Sequence, residues 1–456
     1  MSGTRLALLA ELRRTAALAI PFVAASAGTQ AMALVDTAVV GRLGPVQIAA
    51  NGMGTAIFFL TSILALGTVM GLDPLASQAV GAGRPEEARR HARDALALAA
   101  VLSLPFGLLC FALCATLPLL GTEPAVVDAT LSYMFARAPS MLPFLLFIAL
   151  RSYLQALGRT RPSLISMVVG NLVNLPVAWL LVHGGHGLEM LGLPTLGLGA
   201  GFGVWGAGLA TTIGHVVQFA VMWMAFRREP VPAATGGVSA AGLRRLVRLG
   251  LPVGLQYLAE VGVFCSTQML IGRFGAVWTA AHNVAIQIAS FTFCICLGLS
   301  QAATVRVGHL VGAGDWRGAR HAGLVALGLG VVVMSGSAVC LFIAPTLWAS
   351  LLVTPPEVIA AGATLLSIAA IFQVMDGLQA VAAGVLRGAG DTHAAMWVNV
   401  GVHWGVTAPL ALLLGIVLDY GPRGMWWALT TGLALVAGGL VTRFLRLTAG
   451  HVATNL

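Results

Sequence analysis

The chain has 456 residues, 58% hydrophobic and only 9% charged, against about a quarter charged in an ordinary soluble domain. This composition excludes a soluble globular fold, because apolar runs of membrane-spanning length recur along the whole sequence and leave no separate soluble domain. A net charge of +9 would suggest nucleic acid in a soluble protein, but here the arginines sit in the gaps between apolar runs, where they meet lipid headgroups, so no nucleic-acid partner is expected.

In chain order the apolar runs predict six spans at approximately 16–40, 47–72, 94–117, 128–149, 163–183 and 198–224, and six more at 249–271, 278–304, 321–348, 358–386, 394–417 and 425–445. The start imitates a cleavable signal peptide, with Arg13, Arg14, an apolar run and "AMA" at 31–33. An internal repeat argues against cleavage, because it needs that run to continue to Gly41.

Shifting the sequence by 231 residues aligns "GRLG" (41–44) with "GRFG" (272–275), Leu66 and Gly67 with Leu297 and Gly298, "VGAG" (80–83) with "VGAG" (311–314), and Pro21 with Pro252. A shift of 232 then pairs "LQALGRT" (154–160) with "LRGAGDT" (386–392). With six spans per copy, both copies enter the membrane from the same side. The expected fold is therefore an all-α integral membrane protein of twelve transmembrane helices, in two six-helix lobes related by a pseudo-twofold along the membrane normal. The lobes are expected at 1–226 and 246–456, joined by a linker at 227–245. Arginine counting puts clusters such as Arg84, Arg89, Arg90 and Arg93 on one side and only Arg42, Arg273 and Arg423 on the other, so both termini are expected in the cytoplasm. The six cysteines fall inside apolar runs and read as small packing residues rather than as a disulfide or zinc framework.

The run "MALVDTAVVG" (32–41) places Asp36 where a charged acid costs roughly 2.5 to 3.5 kcal/mol on insertion scales. Of sixteen acids, three fall well inside predicted spans: Asp36, Glu260 and Asp376. Under the repeat Asp36 corresponds to Thr267 and Glu260 to Thr29, so each first helix carries a polar pair seven residues, about two turns, apart. Gln373, Asp376 and Gln379 are spaced three apart near one face of the tenth span, and Gln256, Tyr257 and Glu260 group similarly on the seventh. Asn171 and Asn174 share a face of the fifth span and are in reach of Asp36, with oxygens that suit a hard cation. A carboxylate away from water binds a proton more readily, and a nearby cation reverses that preference, so proton and cation compete for one group. An intramembrane acid that faces water from one side at a time is the minimal element of ion-coupled transport.

Other chemistries fit less well. "GAGD" at 312–315 and 388–391 resembles an element of intramembrane aspartyl proteases, but both copies sit at Arg-flanked helix ends and the first half lacks the acid. His183 and His186 in "HGGHG" lack further ligands and read as a solvated outer loop, while His403 occupies the repeat position of Asn171. No paired-acid motif for magnesium diphosphate is present, no cofactor is implied and no enzyme activity is expected.

The motifs "LVDTAVVGRLG", "LPVGLQYLAE" ending on Glu260, "SQAATVRVGHLVGAGD" and "VLRGAGDT" resemble those of the multidrug and toxic compound extrusion family, MATE, and more closely its NorM-type branch. The resemblance implies a monomeric transporter of the bacterial inner membrane. It would export cationic or amphipathic drugs by alternating access, in antiport with H+ or Na+, with lipids and small organic molecules as partners. It implies an N-lobe acid at Asp36 and C-lobe cation-binding acids at Glu260 and Asp376, so sodium is expected at Glu260 and Asp376, or at Asp36 and Asn174. Gln256, Tyr257, Thr267, Asn171 and Gln373 complete the expected ion and substrate site. Two departures weigh toward protons: Phe372 stands where the branch tends to have tyrosine, and Ala178 where a polar ligand tends to recur. The rival reading is a lipid-linked precursor flippase of the same superfamily, which should place cations in the cavity, where only Arg137 is predicted.

Overall fold

The computed structural model describes residues 2–190, 192, 195, 199–231 and 237–454, with side chains for all of these except 2–10, 33, 34, 188 and 454. Residues 232–236 of the expected linker lie outside the described residues. Among the described residues, twelve helical segments are long and apolar enough to cross a membrane. In the first half these are α1 (Glu11–Val40), α2 (Pro45–Gly81), α3 (Pro85–Cys114), α4 (Pro124–Ala156), α5 (Arg161–Gly187) and α6 (Gly203–Arg228). In the second half they are α7 (Ala240–Phe274), α8 (Ala276–Gly312), α9 (Trp316–Ile343), α10 (Pro356–Ala389), α11 (Thr392–Val417) and α12 (Gly421–Ala453). Among the described residues the only β-pairing is an isolated bridge between Gly184 and Ala200.

The punctuation is local. Pro45, Pro124 and Pro356 open helices where a missing N–H goes unnoticed. Gly390, at φ 83°, closes α10 in the left-handed conformation that glycine adopts freely. Asp315 caps α9 by accepting from the Gly318 amide at 2.7 Å. Several helices outrun their apolar windows: α8 continues to Gly312, and α2 resumes as Leu72–Gly81 after a turn at Met70. The reading of His183 as a solvated loop residue is corrected, since α5 runs on through it. His183 is buried, with Nε2 3.2 Å from the Val39 carbonyl, whereas His186 is exposed beside Glu189.

Packing divides the chain into two compact units that do not follow it in order. The N unit comprises Ala27–Leu72 and Pro85–Gly254; the C unit comprises Met1–Ser26, Asp73–Arg84 and Leu255–Leu456. Within the N unit, α6 packs against α4 and α5, and Asp94, 1% exposed, accepts from the Ser239 amide just ahead of α7. Within the C unit, α10 is surrounded by α8, α9 and α12. Ala19 and Phe22 of α1 join its core beside Val381, Leu386 and Phe444. Two ion pairs fix first-half segments in that unit. Arg306 grips Glu11 with two bonds of 2.9 and 2.8 Å, and Arg387 stands 3.7 Å from Asp73 while donating to the Tyr257 hydroxyl at 2.8 Å.

Close helix approach depends on a glycine in each unit. A Cβ at Gly67 of α2 would lie 2.3 Å from the Gly254 Cα of α7, and one at Gly298 of α8 would lie 2.7 Å from the Val23 amide of α1. Gly67 maps onto Gly298 and Val23 onto Gly254 under the same 231-residue shift, so one joint is built once in each unit. Small residues that let backbones touch are the ordinary glue of membrane helices. Gly67→Ala and Gly298→Ala are each expected to destabilise the protein by about 1–3 kcal/mol through overpacking. The thermal unfolding midpoint of purified protein reads this, with Gly52→Ala, where nothing lies within 4 Å, as the control.

Candidate functional site

In the N unit, Asp36 sits four residues before the end of α1, 9% exposed. Its Oδ2 accepts from the Thr211 hydroxyl at 2.8 Å, and its Oδ1 is buried with no partner. Thr211 belongs to α6, which also brings Thr212 and His215 to the same turn: Thr212 donates to the Ala136 carbonyl at 2.7 Å, and His215 Nδ1 lies 3.2 Å from the Arg137 guanidinium. Asn174 of α5 is wholly buried, with both amide atoms unpartnered, and is close enough to interact with the Asp36 carboxylate. Arg137 stands where α4 breaks into a 3-10 turn at Ala138–Ser140. It is 8% exposed, bonded to Ser140 and stacked 3.9 Å over the Phe58 ring.

In the C unit, Glu260 of α7 accepts from the Gln379 amide at 3.0 Å, and Asp376 of α10 is close enough for the two carboxylates to act on one another. Gly377 lets Cys296 of α8 and Met334 of α9 approach α10 beside Asp376. Gln373, 1% exposed, accepts from Thr292 at 2.9 Å and leaves its amide nitrogen unpartnered. Unsatisfied buried polar atoms are rare in folded proteins and ask for an explanation, often a bound water or ion.

The expected residues thus fall into three groups. Asp36 with Asn174, and Glu260 with Asp376, stand together. Gln256 and Thr267 are buried on α7, but neither bonds to an acid. Asn171 and Tyr257 are turned elsewhere: Asn171 donates to the Gly28 carbonyl at 2.9 Å, two turns from Asp36, and Tyr257 receives Arg387. Phe372 is buried edge-on to Phe264 and Trp426, and Ala178 lies in the apolar core, so neither position supplies an oxygen. Thr211 and His215 were not singled out from the sequence. Their signal is the polar stripe Thr211, His215 and Gln218, spaced four and three along an otherwise apolar α6.

These features define a class: duplicated twelve-helix membrane proteins with acids inside the helical bundle of each unit. The chain belongs to the MatE family, in its NorM-type branch; the family profile matches residues 21–180 and 252–413, two matches that begin 231 residues apart. It is 38% identical to the probable multidrug resistance protein NorM of Deinococcus radiodurans, over 97% of both chains. It is 36% identical to that of Mesorhizobium japonicum, over 96% of this chain and 94% of the other. Its fold matches the crystal structure of a Vibrio cholerae MATE transporter in the bent form with a TM-score of 0.85, at 19% identity over 97% of this chain and 98% of the other.

Thr211 donates to Asp36 at 2.8 Å. Thr211→Val is expected to cost about 1.5–3 kcal/mol, the worth of a hydrogen bond to a charged group. Thermal unfolding of the purified protein measures it, and Thr431→Val, whose exposed hydroxyl bonds only to its own helix, is the neutral comparison.

Proposed function

We propose that the chain is a secondary active multidrug efflux transporter of the bacterial inner membrane, with both termini cytoplasmic and acting as a monomer. It exports cationic or amphipathic organic compounds by alternating access, in antiport with protons or sodium ions. The observation that carries this reading is the pair of incompletely satisfied acid sites, Asp36 in the N unit and Glu260 with Asp376 in the C unit. The multidrug resistance names of the NorM relatives support the substrate class.

The chemistry follows from the acids. Two carboxylates within electrostatic reach in a low-dielectric interior repel, and a proton or a monovalent cation relieves that repulsion. An organic cation relieves it equally well, so ion and drug become alternative occupants. Exposed to the external side, the acids exchange drug for the coupling ion; exposed to the cytoplasm, they release the ion and take drug again. Gln379 steadies Glu260 in either case, because its amide can face a carboxylate or a carboxylic acid. The flippase alternative is supported by Arg137 alone, since the other buried arginine, Arg387, is engaged with Asp73 and Tyr257.

Efflux of a dye cation from proteoliposomes under an imposed pH or sodium gradient tests the proposal. Glu260→Gln and Asp376→Asn are expected to weaken gradient-driven efflux about 5- to 150-fold, the usual range of coupling between two ligands. Unchanged coupling in both variants and in Asp36→Asn would remove the acids from the mechanism.

A further inference from the structure

Arg137 is a buried guanidinium whose described partners are all neutral. It donates to Ser140 Oγ, lies 3.9 Å over the Phe58 ring, and faces His215 Nδ1 at 3.2 Å. A guanidinium only donates, so that nitrogen accepts and the proton of a neutral ring stands on Nε2. No described carboxylate lies within ion-pair distance of Arg137. Ser140 and His215 both take protons from one guanidinium nitrogen and neither carries a negative charge, so the charge of Arg137 is not met at contact distance, and an uncompensated charge inside a membrane protein is costly.

The same turn of α6 joins it to Asp36. Thr211 bonds the Asp36 carboxylate, Thr212 bonds the carbonyl of Ala136 next to Arg137, and His215, one turn on, meets the guanidinium. Arg137 acts electrostatically on Asp36, and both act on the Tyr133 ring, which is 2% exposed. The other titratable group facing the guanidinium is Cys110, bonded to Thr61 at 3.1 Å. Asp36 is the one carboxylate in this set, and Arg137 the one cation.

We propose that Arg137 is the resident counter-cation of Asp36: a tethered positive charge that fills, in the N unit, the electrostatic place a sodium ion would take. Sodium added beside Asp36 would bring two positive charges against one negative, in surroundings where both are poorly screened. Glu260 and Asp376 act on one another, and among the described residues no arginine pairs with either, since Arg387 of the same unit is engaged with Asp73; a metal coupling ion is therefore confined to these two acids. This rests on the ion-coupled reading above and decides where in the chain the ion binds.

Binding of radioactive sodium to purified protein tests it without requiring transport, so failed efflux and a failed counter-cation are separate results. In an E260Q/D376N background, where the C-unit acids are neutral, the protein is expected to bind no sodium. Adding R137Q is expected to create a sodium site that adding D36N then abolishes, whereas R137K, which keeps the charge, creates none. Sodium binding that depends on Asp36 while Arg137 is intact overturns the proposal, as does a folded R137Q protein that gains none. Should R137Q fail to fold, the unfolding midpoint decides: D36N/R137Q, which leaves no lone charge, is expected to melt above either single variant, and a double variant that melts no higher than the worse single one overturns the pairing.

Discussion

A charge that leaves water must be met by an opposite charge or by several hydrogen-bond donors, and this requirement sorts the buried acids of the chain. Glu11 is met by two bonds from Arg306, and the shielded Asp73 by Arg387. Asp36, Glu260 and Asp376 are different. Asp36 has one hydroxyl and a bare second oxygen, Glu260 has one amide, and Asp376 has for company another acid. Burial alone does not set these three carboxylates apart; what they lack in partners does.

The requirement also explains what the sequence could and could not disclose. Hydropathy reports the cost of placing a residue in hydrocarbon, so the twelve spans and their duplication were legible. It does not report where a helix stops once it reaches water, which is why α8 runs to Gly312 rather than 304 and why "HGGHG" conceals a buried His183. Spacing along one helix placed Tyr257 with Glu260, three residues away. Positions three apart diverge by about 60° around the axis, enough for a long side chain to reach Arg387 instead. Thr211 stayed hidden for a related reason: a threonine in an apolar helix can bond its own backbone, as Thr211 does to Ala207 at 3.0 Å, and so reads as structural. Which neighbouring helix supplies the second partner is information that one sequence does not hold.

Identity to NorM relatives over nearly the whole chain fixes the lineage. The surroundings of the acids belong to this chain's own chemistry, in which Phe372 and Ala178 pack among apolar side chains and supply no oxygen.

The glycine joints, Gly67 against Gly254 and Gly298 against Val23, keep one geometry in both copies, while Asp36 faces a threonine across the repeat and so does Glu260. Duplication thus left a symmetric chassis carrying an asymmetric payload. Steric tolerance at Gly67 and Gly298 is nearly nil, so both copies keep glycine there; a polar site forgives substitution more readily, and the two halves were free to specialise.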